Sequence, residues 1–144
     1  MYKVIIIEDD PMVASINKQY VELTSSFHVE ATFKNGILAL QYLQNCTVDL
    51  IILDYYTPQM NGDEFIDQLH AAGMTPAIIM VTSANDAETV RRLISRGVTD
   101  YLVKPFEYDR FKAALERFAK RQEELKTSAS ASDLGQAEID RLFR

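Results

Sequence analysis

Leu50-Ile51-Ile52-Leu53 sets four apolar side chains in succession and then stops on a carboxylate, Asp54. Side chains of a strand point to alternate faces, so such a run needs apolar cover on both sides, as in a parallel sheet flanked by helices. Tyr2 to Ile7 and Ala77 to Val81 are runs of the same kind. A carboxylate leaving such a strand stands at the carboxyl edge of the sheet, where open α/β folds place their ligands. Taken alone, Asp54 reads as the start of a turn; three other stretches change that reading.

The β-branched run Tyr2 to Ile7 ends in Glu8-Asp9-Asp10-Pro11. Pro11 suits the first turn of a helix and Asp10 the cap before it, so the strand hands over to a helix across Met12 to Leu23 and leaves Glu8 and Asp9 at its end. Phe27 to Phe33 alternates as a second strand. Asn35-Gly36 marks a turn before a helix carrying Ile37, Leu40 and Leu43. After the central strand, Gly62 to Ala72 is a third helix with Phe65, Ile66 and Leu69 inward, closed by Gly73 and Pro76.

Thr82-Ser83 stand at the end of the fourth strand, and Asp86 caps a helix whose Val90, Leu93 and Ile94 form a narrow stripe ending at Gly97. Tyr101 to Val103 is a fifth strand with Lys104-Pro105 at its end. A last helix runs from about Glu107 to Leu125 with Phe111, Ala114, Leu115 and Phe118 inward. Strand followed by helix, five times over, predicts an α/β fold: a doubly wound, five-stranded parallel sheet with right-handed crossovers. Lys126 to Asp133 is rich in small residues and reads as a linker. Residues 134–144 have Leu134, Ile139, Leu142 and Phe143 at helical spacing. They are too few to bury a core, and read as a packing extension or the opening of a further domain.

The net charge of -6 argues against a nucleic-acid surface over most of the chain. Cys46 is the only cysteine, so no internal disulfide forms and a reducing compartment is expected. No apolar run is long enough for a signal peptide or a membrane span, which points to a cytoplasmic protein without a membrane partner.

This topology brings Glu8, Asp9, Asp54, Thr82, Ser83 and Lys104 to one edge of the sheet. Carboxylates held close resist ionisation unless a cation sits among them. With no His or Cys in the cluster, an oxygen-only site for magnesium or manganese is expected. A carboxylate beside such a cation can attack a phosphoryl group, with Lys104 neutralising phosphoryl oxygens and a hydroxyl donating to one of them. Phosphoryl transfer to Asp54 is the reaction these residues support best.

At roughly residues 2 to 122 the chain resembles the receiver domain of a bacterial two-component response regulator. The resemblance is carried by IIIEDD, by the D-x-x-x-P-x-M-x-G segment at Asp54 to Gly62, by VTS at Val81 to Ser83 and by YLVKPF at Tyr101 to Phe106. It implies the flavodoxin-like receiver fold, with residues 1–125 as the phospho-acceptor domain and Asp54 as the phosphorylation site. Glu8, Asp9, Asp54 and the Tyr56 carbonyl would hold Mg2+ or Mn2+, Asp9 more directly than Glu8. Thr82 and Tyr101 would be the switch pair, Lys104 the phosphate-pairing lysine, and the Lys104-Pro105 bond cis.

Such a domain is a phosphoacceptor rather than a classical enzyme. It takes its phosphoryl group from a sensor histidine kinase and forms a homodimer on phosphorylation. LGQAEIDRLF resembles the opening of the DNA-binding region in regulators of the citrate/malate, dicarboxylate-sensing type, which implies output through DNA binding and transcription regulation outside this chain. Tyr56 and Ala84 offer nothing to orient a water toward the phosphoryl group, so slow self-dephosphorylation is expected. Phosphorylation is expected to change the exposed face around Arg91, Arg92 and Arg96. The mixed charges from Glu107 to Arg117 are either a solvated face or intersubunit pairs.

Two other classes compete. A stand-alone receiver acting by protein docking fits the site equally and the tail less well. A phosphatase with an aspartate nucleophile needs an acid two residues beyond Asp54, where Tyr56 stands. A nucleotide-binding module lacks its glycine-rich loop. Met60, His28, His70 and Cys46 are assigned to packing or surface.

Overall fold

The computed structural model describes residues 1–129 and 134–143. Its elements are β1 (Tyr2–Ile7), α1 (Pro11–Leu23), β2 (Phe27–Phe33), α2 (Gly36–Leu43), β3 (Leu50–Leu53), α3 (Gly62–Ala71), β4 (Ala77–Thr82), α4 (Ala87–Ser95), β5 (Asp100–Val103), α5 (Tyr108–Ala129) and α6 (Gln136–Leu142). The strands form the one parallel sheet that the sequence pattern predicts, in the order β2-β1-β3-β4-β5, the flavodoxin-like arrangement that the resemblance implies.

Helices α1 to α4 start where the sequence supplies a side-chain oxygen for their free N–H groups. Asp10 accepts from the amides of Met12 and Val13, Asn35 from Leu38 and Asp86 from Thr89. Asn61 and Glu64 form a reciprocal capping box on α3. Gly73 and Gly97 follow α3 and α4 with φ of 73° and 90°, a backbone region that a Cβ disfavours.

The four residues of β3 are all buried, and they divide between two cores. Leu50 and Ile52 join Val4, Ile6, Phe111, Leu115 and Phe118 on one face of the sheet. Ile51 and Leu53 join Ile5, Ile7, Phe65, Ile66 and Leu69 on the other. This period-2 division is why an uninterrupted apolar run is needed: each face of the strand has its own layer of helices to meet. It also fixes register, because a slip of one residue would send every side chain to the wrong layer.

Two expectations are corrected. The last helix does not end at Leu125: Lys126 to Ala129, read as the start of a linker, continue α5. No glycine or proline interrupts this stretch, Lys126 lies 3.6 Å from Glu123, and the Thr127 hydroxyl donates to the Glu123 carbonyl one turn back. Ser130 to Asp133 and Arg144 lie outside the described residues. The stripe expected on α4 is narrower than Val90, Leu93 and Ile94: only Leu93 is fully buried, and Ile94 is 56% exposed. The tail does form a short helix, α6, which packs on α5.

Candidate functional site

The strand order reverses between β1 and β3, and the carboxyl ends of these two strands, with those of β4 and β5, form the rim of one crevice. Glu8 follows β1 and is buried, Asp9 beside it is exposed, and Asp54 follows β3 with little solvent access. Thr82, the last residue of β4, is fully buried, and Lys104 follows β5. Backbone hydrogen bonds lock the ends together: Asp54 N donates to Ile7 O at 3.0 Å, and Lys104 N to Thr82 O at 2.9 Å.

Lys104 Nζ donates to Glu8 Oε1 at 2.8 Å and to Asp54 Oδ2 at 3.0 Å. Asp54 Oδ1 accepts the amide of Tyr56 at 3.1 Å, and Glu8 Oε2 the amide of Asp10 at 3.2 Å. Glu8, Asp9 and Asp54 each present an oxygen within 4.8 Å of the others. One ammonium, bonded to Glu8 and Asp54, thus stands beside three carboxylates. Burial pushes the Glu8 carboxyl above its ordinary value, and the Asp54 charge adds to this, against the opposing hydrogen bonds from Lys104 and the Asp10 amide. Burial pulls Lys104 down, but its bonds to Glu8 and Asp54 outweigh this and hold the ammonium above its ordinary value. The residual negative charge and the all-oxygen donor set fit a hard divalent cation such as magnesium.

The remaining predicted residues fall around this centre in different ways. Thr82 Oγ1 accepts the Ala84 amide at 3.3 Å, while Ser83 is exposed. The half-buried Tyr101 donates its hydroxyl to the Ala84 carbonyl at 2.6 Å, so both members of the expected switch pair bind the same residue of the β4–α4 loop. Tyr56 is 55% exposed at the mouth of the crevice. The Lys104-Pro105 bond is cis, as the resemblance implies. Thr57 closes the loop after β3 by donating to the Met60 carbonyl at 2.6 Å. Cys46 is only half-buried and lines a cleft with Leu43, Val48, Met74 and Pro76 beside the start of β4, away from the carboxylates.

Arg92 and Arg96, expected on an exposed switch face, instead reach Asp63 at the start of α3. Arg92 also donates to the hydroxyl of Tyr55, the residue next to Asp54. Charge patterning along α4 carries no sign of this, because the partner acid lies 29 residues away.

Residues 4–116 match the family described as the response regulator receiver domain. The chain belongs to that family. The receiver is 36% identical over 142 residues to the "Probable C4-dicarboxylate response regulator DctR" of Priestia megaterium, covering 99% of this chain and 61% of that protein. It is 35% identical over 145 residues to the transcriptional regulatory protein DcuR of Escherichia coli K12, covering 99% and 59%. For the transcriptional regulatory protein MalR of Bacillus subtilis the identity is 34% over 140 residues, covering 97% and 58%. The resemblance to dicarboxylate-sensing regulators read from the sequence is thus borne out, and the chain spans about three fifths of the length of these relatives. The response regulatory domain of MrkE from Klebsiella pneumoniae shares the fold at a TM-score of 0.77 and 24% identity, over 85% of this chain and 98% of that one.

Gly62 fixes how closely the receiver's β3–α3 loop can pack. A Cβ there would meet Tyr55 Cδ1 at 2.8 Å and the Tyr55 Cα at 3.4 Å. Gly62→Ala is expected to destabilise the fold by about 1–3 kcal/mol, as overpacking does, measured by urea unfolding. Because the displaced residue adjoins Asp54, the variant should also bind magnesium more weakly than the wild type.

Proposed function

We propose that this receiver accepts a phosphoryl group on Asp54 from the phosphohistidine of a sensor kinase and, once phosphorylated, switches an attached transcriptional output. The observation that carries this reading is the convergence of Asp54 with Glu8, Asp9 and Lys104 around one crevice. An Asp54 carboxylate oxygen attacks phosphorus, the bond from phosphorus to the donor breaks, and the donor leaves with that electron pair. Lys104, already on Asp54 Oδ2, turns its ammonium to a phosphoryl oxygen as charge accumulates there. Thr82, whose hydroxyl oxygen accepts the Ala84 amide at 3.3 Å, can donate its proton to another. Glu8, Asp9, Asp54 and the Tyr56 carbonyl would hold magnesium or manganese, which when bound would supply further neutralisation of the phosphoryl oxygens. The domain is a phosphoacceptor that promotes its own modification, not a classical enzyme.

Movement of Thr82 toward the phosphoryl group disturbs the β4–α4 loop at Ala84, the residue that also anchors Tyr101. Phosphate thereby favours one of two arrangements of α4, β5 and α5, and homodimerisation and DNA binding by a domain beyond this chain follow. The names of the relatives support a transcriptional output over a stand-alone receiver. Among the described residues no helix is long and apolar enough to cross a membrane, and the proposed partners place the receiver in the cytoplasm.

The test is incubation with a small phosphodonor and magnesium, followed by intact mass and by borohydride reduction, which converts an aspartyl phosphate to homoserine. One added phosphoryl group and homoserine at position 54 are expected; homoserine at another position would refute the assignment. The acyl phosphate should then persist. Tyr56 is exposed and Ala84 carries no polar side-chain atom, so neither orients an attacking water. A half-life of many minutes or longer with magnesium present is expected, and one of a few seconds would contradict this.

A further inference from the structure

We propose that Arg92 of α4 is a positioning residue for the phosphoacceptor loop, acting through Asp63 and Tyr55, so that the placement of α4 and the geometry at Asp54 belong to one equilibrium. This rests on the reading of Asp54 as the phosphoacceptor. Tyr55 follows Asp54 directly and turns its ring into the core layer opposite the Phe111 side. It is held at three points: its carbonyl accepts Gly62 N at 2.9 Å, its ring abuts Gly62, and its hydroxyl donates to Asp63 Oδ2 at 2.7 Å. Arg92 closes the arrangement, with Nε and Nη2 on Asp63 Oδ2 at 3.1 and 2.8 Å and Nη2 on the Tyr55 hydroxyl at 3.1 Å. Arg96 reaches Asp63 Oδ1 at 3.5 Å and also pairs with Asp67.

The fork matters because α4 has little else to hold it. Leu93 is its only fully buried residue, so a large share of its attachment is ionic and directional. Any displacement of α4 that breaks the fork leaves a mostly buried carboxylate and a phenol short of partners. The same loss weakens the anchor at the Tyr55 hydroxyl and so loosens the Tyr55-Tyr56 peptide, whose nitrogen lies 3.1 Å from Asp54 Oδ1. Coupling is reciprocal, so whatever changes the hydrogen bonding at Asp54 also biases α4. A plain clamp would stabilise the fold and do nothing at the loop, and the test must tell the two apart.

Hydrogen exchange of the unphosphorylated wild type, Arg92→Gln and Tyr55→Phe reads the link without any phosphoryl transfer. Amides of Tyr56, Thr57 and Met60 are expected to exchange faster in Arg92→Gln, and amides of α4 faster in Tyr55→Phe, with β1 unchanged in both. Rates of phosphoryl uptake from a small phosphodonor should change by about threefold or more in each single variant. The double variant should show no greater change than either single one. Arg92→Lys, which keeps the charge and loses the fork, should melt close to the wild type yet resemble Arg92→Gln in loop exchange. Additive rate effects, or a lowered melting temperature with loop exchange unaltered, would reduce Arg92 to a clamp and overturn the proposal. Absence of uptake by the wild type would sink the phosphoacceptor reading, while the exchange measurements would still decide the link.

Discussion

Asp54→Asn is expected to take up no phosphoryl group from a small donor under conditions that load the wild type. The substitution keeps the shape of the side chain and removes its nucleophile, since a neutral amide oxygen does not form the acyl phosphate. It also leaves the rest of the crevice connected. Lys104 keeps Glu8 at 2.8 Å, and the oxygen of the substituted side chain can still accept the Tyr56 amide. Taking one negative charge from a group of three carboxylates relieves repulsion, so the variant should melt at or above the wild-type temperature. A folded variant that does not react is the expected outcome, read by intact mass beside a thermal melt. Uptake equal to that of the wild type would move the nucleophile elsewhere, with Asp9 the nearest exposed acid.

Removing the divalent cation, or one of its ligands, is expected to have the second-largest effect. With a chelator present, or in Asp9→Asn, the rate of phosphoryl uptake should fall by about a hundredfold or more, the usual scale for losing one strong electrostatic contact to a transition state. Asp9 is the suitable position because it is exposed and its loss costs the core nothing. Magnesium at ten times its dissociation constant should stabilise the wild type by about 1.4 kcal/mol, roughly 5 °C for a domain of this size. The same concentration should move Asp9→Asn by no more than about 1 °C. The pH dependence has a definite sign. Because burial raises the Glu8 carboxyl above its ordinary 4.5, the folded metal-free protein holds a proton that the unfolded chain has released. Its stability therefore falls as pH rises from 4.5 through the raised value, and the stabilisation by magnesium grows over that window as the cation replaces the proton. A magnesium-induced shift that stayed constant across the window would mean that Glu8 takes no part in the site.

Asp63 titrates with the opposite sign. Burial acts to raise it, but the hydrogen bonds from Arg92 and Tyr55 and the charges of both arginines outweigh this and hold it below its ordinary 3.8. What it contributes is present above that value and is lost as pH falls through the lowered one. Falling pH should accordingly protonate Glu8 first and loosen the α3–α4 connection only in more acid solution.

Much of this protein could be read without coordinates because local rules and global fold agree. Apolar runs at Ile5 to Ile7 and Leu50 to Leu53 admit only a strand covered twice, and the caps Asp10 and Asp86 mark where the chain must turn back. Parallel strands joined by right-handed crossovers then bring Glu8, Asp54, Thr82 and Lys104 to one edge whatever the details of packing. The site was legible because it follows from topology. Less legible were features set by small differences in free energy. The extension of α5 through Lys126 to Ala129 depends on weak helical preferences over a stretch whose small residues equally suit a linker.

The sequence by itself determined the doubly wound parallel sheet, the two-layer core and the meeting of the carboxylates with Lys104, because periodicity and chain connectivity dictate them; the order of the strands came with the fold. Only the tertiary structure decided that Arg92 and Arg96 turn inward to Asp63 and that Tyr55 is tied to α4. Arginine side chains are long, and those of a helix face can be solvated or paired at similar cost. The choice rests on which acid the fold brings within about 3 Å, a distance that no spacing along the chain encodes.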